Sequence, residues 1–172
     1  MLIRIAKKED ADSIVAYYQD LSALSKQRFA PHEFSKSFLV HQIQQQSDYL
    51  SVIAYDDQLN KVVGYAVCQL WMFDYDIQRW NNYHLELQYN DRKIACFAPS
   101  VSDAAQNSGI GRQLLNYTKQ RLIEKGFTHI MLWGGVKCEN IPALNFYLKN
   151  GFKIVAHFDY QGGNYDMLLK IV

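Results

Sequence analysis

The residues best suited to chemistry lie in one stretch, Val101-Ser-Asp-Ala-Ala-Gln106-Asn-Ser-Gly109-Ile-Gly111-Arg112, between a strand-like and a helix-like segment. Glycines at 109 and 111 let the main chain approach a ligand closely. The N–H groups that open a helix have no partner inside it and sit at the positive end of its dipole, so they suit a phosphate. No lysine follows Gly111, which excludes a Walker A loop, and Leu114 holds the place of the third glycine of a dinucleotide-binding turn. A plain strand-to-helix turn needs the same glycines, so the stretch by itself leaves both readings open.

The elements around it must hold this loop in place. The chain of 172 residues is expected to form a single domain over residues 1–172. Lys plus Arg number 18 and Asp plus Glu 17, a formal charge of +1, which argues against a nucleic-acid binder. The cysteines, Cys68, Cys96 and Cys138, are odd in number and form no CxxC pair, so neither a disulfide framework nor a metal site is expected. The opening MLIRIAKKEDAD has no apolar leader and no stretch is long and apolar enough for a membrane span, so a cytoplasmic chain without a membrane partner is expected. Leu2 to Ala6 reads as a strand; Ala11, Ile14, Val15, Tyr18 and Leu21 mark a helical face, and Glu33 to Gln46 a second helix. Strands are expected over 49–55, 61–73, 93–101, 127–133, 153–160 and 165–171. Helices are expected over 112–125 and from Pro142 to Lys149, with Asn140 as cap, and residues 74–92 read as an irregular excursion or hairpin. Such alternation gives an α/β domain around a mixed, mostly antiparallel sheet of about six or seven strands with about four helices.

On these residues the chain resembles the GNAT family of N-acetyltransferases. Its motif of Gln or Arg, two residues, Gly, one residue, Gly is met by Gln106, Gly109 and Gly111, with a strand Val, Val101, five residues earlier. A second motif is met by Asn140, Ala143, Tyr147, Gly151 and Phe152. The opening strand and Val63-Gly64-Tyr65-Ala66-Val67 are also similar to the family, and the resemblance covers essentially the whole chain.

The resemblance implies a GNAT fold and an acetyl-CoA cosubstrate without a metal. Its pyrophosphate would meet the amides of Gln106, Asn107, Ser108, Gly109, Ile110, Gly111 and Arg112. The pantetheine arm would pair with the backbone of Ser100 and Val101 and meet Asn140, which serves equally well as a plain helix cap. Tyr147 matches the tyrosine that protonates the departing thiolate. A phenol with an ordinary pKa of about 10 is protonated at neutral pH, though a core aromatic would also fit there. The acceptor would be an amine of a small molecule or protein, and a homodimer is common in the family.

The base that frees the attacking amine is less visible. Ala95 stands where several members carry a glutamate. Glu86, with His84 and Gln88 on one strand face, is the first substitute, followed by His84, Asp74 and Asp76; each also fits a solvated surface group. Cys96 reads as a small core residue. A non-catalytic acyl-CoA-binding module is the alternative of a different class, and the missing glutamate favours it.

Overall fold

The structure is a computed structural model that describes residues 1–72, 74–81 and 93–172. In chain order its elements are β1 (Leu2–Ile5), α1 (Ala11–Asp20), α2 (Ala23–Arg28), α3 (Lys36–Gln44), β2 (Tyr49–Asp56), β3 (Lys61–Gln69), α4 (Asp74–Asn81), β4 (Ile94–Val101), α5 (Ile110–Glu124), β5 (His129–Leu132), β6 (Val136–Lys137), α6 (Ile141–Lys149), β7 (Lys153–Asp159) and β8 (Gly163–Lys170). The α/β class and the mixed sheet are as expected. Eight strands and six α-helices are present among the described residues. The additions are short: α2, α4 and the two-residue β6. The chain divides into two compact units, one of Met1–Cys68 with Ala98–Arg121, the other of Gln69–Phe97 with Leu122–Val172.

In the first unit β1 pairs antiparallel with β2, Leu2 opposite Tyr55 and Ile5 opposite Val52, and β3 lies beside β2. Val52, Ile53 and Ala54 of β2 and Tyr65, Ala66 and Val67 of β3 are all fully buried. Both strands are therefore covered on both faces, which explains why their sequences run apolar without alternation. Helix α1 buries Ala11, Ile14 and Tyr17, so its inward face is turned toward Tyr17 and leaves Tyr18 half-buried. Its acidic start does more than meet the helix dipole. Asp10 accepts from Arg4 Nη1 at 2.6 Å and Nη2 at 2.8 Å, and from the Lys7 N–H at 2.7 Å. Helix α5 buries Ile110, Leu114, Leu115 and Thr118. A Cβ on Gly64 would lie 3.1 Å from both Ile110 Cγ2 and Leu114 Cδ1, so the missing side chain lets α5 settle onto β3.

In the second unit the first half of β4 pairs parallel with β5, Ile94 opposite His129 through Phe97 opposite Leu132. Strand β8 pairs antiparallel with β5, β6 and β7. The β7–β8 turn, Tyr160 to Gly162, has left-handed backbone at Gln161 (φ 51°) and Gly162 (φ 103°), the hairpin that Gly-Gly-Asn chemistry foretells. Met72, Trp80, Ile94, Cys96 and Met131 form a buried cluster, with Ile77, Trp133 and Leu168 against it. Where an irregular excursion was expected, Asp74–Asn81 is helical, with Asp74 and Asp76 in its first turn and Arg79 in its last, the arrangement its dipole favours. None of the three cysteines is in a disulfide; Cys68 and Cys96 are buried and Cys138 is half-buried.

Candidate active site

The loop of residues 102–109 is built in the first unit by a sequence of local constraints. The Ser102 N–H donates to Val63 O at 2.9 Å, which ties the end of β4 to β3. A single 3-10 turn follows over Asp103–Ala105, closed by Ala105 N–H to Ser102 O at 2.8 Å. Gln106 is extended, with its side-chain amide 3.5 Å from Val101 O. Asn107 (φ 61°) and Gly109 (φ 85°) are both left-handed, and Ser108 Oγ donates to Ala105 O. Asparagine tolerates that conformation and glycine adopts it freely, so the residue types agree with the backbone. A Cβ at Gly109 would meet nothing within 4 Å, so glycine is demanded there by conformation and not by crowding.

The Gln113 N–H donates to Gly109 O at 3.1 Å, the first bond of helix α5. The N–H groups of Ile110, Gly111 and Arg112 precede it and have no acceptor within the helix. They lie at the positive end of a fifteen-residue helix. The side chains of Gln106, Asn107, Ser108 and Arg112 are exposed around them. An anion needs no basic surface to be held by such a set. Ser100 and Val101 are half-buried at the end of β4, and Ser100 Oγ is 2.8 Å from the hydroxyl of the buried Tyr17.

In the second unit Asn140 caps helix α6, its side chain accepting from the Ala143 N–H at 3.4 Å, with Pro142 in the first turn. The cap thus occupies the side-chain oxygen and leaves the amide nitrogen available. Tyr147 is 8% exposed, its ring edge-on to Phe146 and Phe152 with centroids 5.3 and 5.2 Å away. Burial pushes its phenol above the ordinary value, and no described group hydrogen-bonds the hydroxyl. Burial therefore holds the phenol in its protonated form.

A feature the sequence did not announce lies beside β4. Arg79 donates from Nε to Asp166 Oδ2 at 2.7 Å and from Nη2 to Asp166 Oδ1 at 3.2 Å. Its Nη2 also forms an ion pair with Asp76 Oδ1 at 2.8 Å. Its guanidinium lies 4.3 Å from the Phe158 ring centre. Both carboxylates are buried, so Asp76 is not the solvated group that its acidic neighbourhood suggested. Burial raises its pKa, with Arg79 opposing. The same cluster keeps the Cys96 thiol above its ordinary value, burial being the largest cause, so Cys96 is an inert core residue. The signal available in sequence was the i,i+3 pair Asp76–Arg79; Asp166 lies 87 residues from its partner and leaves no local trace.

Of the residues singled out by sequence, Ser100, Val101 and Gln106 to Arg112 fall in the first unit, and Asn140 and Tyr147 in the second. Ala95 is fully buried. Glu86 and His84 lie outside the described residues. Among the described residues no three His, Cys, Asp or Glu side chains gather as a metal site, and no helix is long and apolar enough to cross a membrane.

Residues 14–152 match the sequence pattern of the Acetyltransferase (GNAT) family. No curated protein sequence matches the chain. Among solved structures, yncA from Salmonella typhimurium, solved with acetyl-CoA, is 19% identical with a TM-score of 0.75 over 100% of this chain and 94% of its own. The PaiA N-acetyltransferase of Thermoplasma acidophilum, solved with coenzyme A, is 20% identical with a TM-score of 0.68 over 99% of both chains. The GNAT domain of PAT from S. lividans is 17% identical with a TM-score of 0.75 over 98% of this chain and 89% of that one. At these identities the likeness is one of fold.

Proposed function

The chain belongs to the GNAT family of acetyltransferases, and from that premise we propose that it transfers an acetyl group from acetyl-CoA directly to a primary amine. The observation that carries this reading is the loop before α5. Two left-handed residues, Asn107 and Gly109, turn the chain so that it enters a helix whose first amides have no acceptor within it. That arrangement accepts a diphosphate through main-chain N–H groups, assisted by Arg112.

In the proposed step the neutral amine nitrogen attacks the thioester carbonyl carbon. The tetrahedral intermediate collapses with cleavage of the C–S bond, giving the amide and CoA thiolate. Tyr147 donates its phenolic proton to that sulfur, and the proton released by the amine balances the cycle. The burial that raises the Tyr147 pKa supports this role, because the group remains protonated until needed. Asn140 has an amide nitrogen free for the pantetheine arm, and Ser100 and Val101 offer backbone groups at a strand end. The amine-deprotonating group is assigned to Glu86 as the first substitute for the residue that Ala95 replaces. The acceptor is an amine of a small molecule or a protein, and the chain acts in the cytoplasm, without nucleic acid or membrane, as a single domain that forms a homodimer.

Ala95 also favours a second reading, a non-catalytic acyl-CoA-binding module of the same fold. One assay separates them. Purified protein is mixed with acetyl-CoA and a panel of polyamines, amino acids, aromatic amines and peptides, and free CoA thiol is followed. Amine-dependent thiol release supports the enzyme; tight acetyl-CoA binding with no release across the panel leaves the module.

A further inference from the structure

Within the first unit, the turn that leads into the phosphate loop is fastened from an unexpected direction. Asp103, the first residue of that turn, accepts three hydrogen bonds from the start of α2. The Ser22 N–H reaches Oδ2 at 2.9 Å, and Ser22 Oγ and Ser25 Oγ reach Oδ1 at 2.9 and 2.6 Å. Ser22 Oγ is at the same time the cap of α2, accepting from the Ser25 N–H at 3.2 Å. Its hydroxyl therefore cannot serve α2 alone; it donates to Asp103 while accepting from the helix. The Ser25 hydrogen bond is the largest influence holding the Asp103 carboxyl below the usual carboxylate range, followed by the Ser22 N–H.

This arrangement is not packing. Asp103 is exposed, and α2 buries none of its own residues. A six-residue helix with no buried face is marginal by itself. What holds its start is the carboxylate of a residue 81 positions away, three residues before Gln106. A second tie runs beside it: the buried Tyr17 hydroxyl meets Ser100 Oγ at 2.8 Å, three residues before Asp103. Helix α1, through Tyr17, and the start of α2, through Ser22 and Ser25, are thus fixed to the two ends of the stretch Ser100–Asp103.

We propose that Asp103 is a positioning residue for the phosphate loop. By fastening Ser22–Arg28 to the turn before Gln106, it couples the order of α2 to the occupancy of the loop. A loop held by an anion keeps Asp103 in place and so keeps α2 folded. By reciprocity, an ordered α2 pre-sets the loop and tightens its grip on the anion. The inference rests on the loop being the acyl-CoA phosphate site.

The test measures acetyl-CoA affinity by calorimetry and amide hydrogen exchange of the full chain, with and without saturating acetyl-CoA. In the native chain, acetyl-CoA is expected to slow exchange in the loop and also in Ser22–Arg28. Asp103→Asn keeps the size but turns an N–H2 group toward the donors of Ser22 or Ser25. It is expected to weaken acetyl-CoA binding about five- to fiftyfold, within the ordinary range of such couplings. It is also expected to abolish the ligand-dependent protection of Ser22–Arg28 while that of the loop survives. The Ser22→Ala/Ser25→Ala chain should reproduce both effects from the other side.

Unchanged affinity in Asp103→Asn, or ligand-dependent protection of Ser22–Arg28 equal to that of the native chain, overturns the proposal. A change of melting temperature without these two effects also overturns it, since it would mark Asp103 as merely structural. If the native chain binds no acetyl-CoA, the functional reading itself fails and this proposal falls with it. Native binding that is insensitive to Asp103→Asn leaves the functional reading standing and removes the coupling alone.

Discussion

Tyr147 carries the sharpest expectation at the level of a single side chain. Tyr147→Phe removes one oxygen from a ring that stays packed against Phe146 and Phe152. Turnover should fall about a hundredfold or more, the ordinary worth of a positioned acid, with acetyl-CoA affinity within about twofold of the native value. Native turnover in that variant, read by thiol release, would remove Tyr147 as the acid. The pH profile offers an independent check. An acid acts while protonated, and burial lifts the Tyr147 phenol above its ordinary value of 10. No fall in kcat attributable to it should appear up to about pH 10; an alkaline limb near pH 8 that disappears in Tyr147→Phe would contradict the high value. The helix that carries Tyr147 was legible in the sequence, because its cap Asn140 and its Pro142 are local signals. Asp103 was not, for its partners Ser22 and Ser25 lie 81 and 78 residues away and the chain between them shows no pattern.

Among the elements, α5 and its seat on β3 decide whether the loop has its shape. Gly64→Val would drive two methyl groups into Ile110 and Leu114, already 3.1 Å from a Cβ there. Overpacking of this kind costs about 1–3 kcal/mol, and because Ile110 opens α5 the shift would reach the free amides. Denaturant unfolding should show that loss together with weaker acetyl-CoA binding. Gly109→Val acts differently: it meets no neighbour, and its cost is the left-handed backbone, so affinity should fall far more than stability. In the other unit α4 is held by Arg79 against Asp166 of β8, with Asp76 of the same helix beside the guanidinium. Arg79→Met would leave two buried carboxylates without their cation, a loss of about 3–5 kcal/mol that urea unfolding would measure. Periodicity and cap signals revealed α1, α3, α5 and α6, which bury an apolar face. It missed α2, which buries none, and α4, whose decisive residues are charged and bind a strand far along the chain.

For the molecule as a whole, composition indicated little beyond class, since a formal charge of +1 is compatible with an anionic ligand when main-chain amides do the binding. Stability against acid is more telling. His32 lies half-buried, its Nε2 3.1 Å from the Tyr65 hydroxyl and its Nδ1 2.8 Å from Glu33 O. Burial holds its pKa down to about 4, below the 6.5 of a free imidazole. The folded state therefore disfavours the proton. The His32 contribution is complete above pH 6.5 and is lost as pH falls through about 4. The melting temperature should begin to drop within that window, and His32→Asn should flatten the drop. Asp10, whose Arg4 and Lys7 hydrogen bonds outweigh its burial, and Asp103 add a further loss below their unfolded value of 3.8. Asp76 acts in the opposite sense, because its raised pKa makes the folded chain prefer the protonated form. Finally, the three cysteines divide into two that are buried and one, Cys138, that is half-buried. The native protein should therefore consume one equivalent of a thiol reagent quickly and the denatured chain three. The chain carries its own counter of unfolding, and a dye attached under native conditions would mark a single site, leaving both the loop and Tyr147 unlabelled.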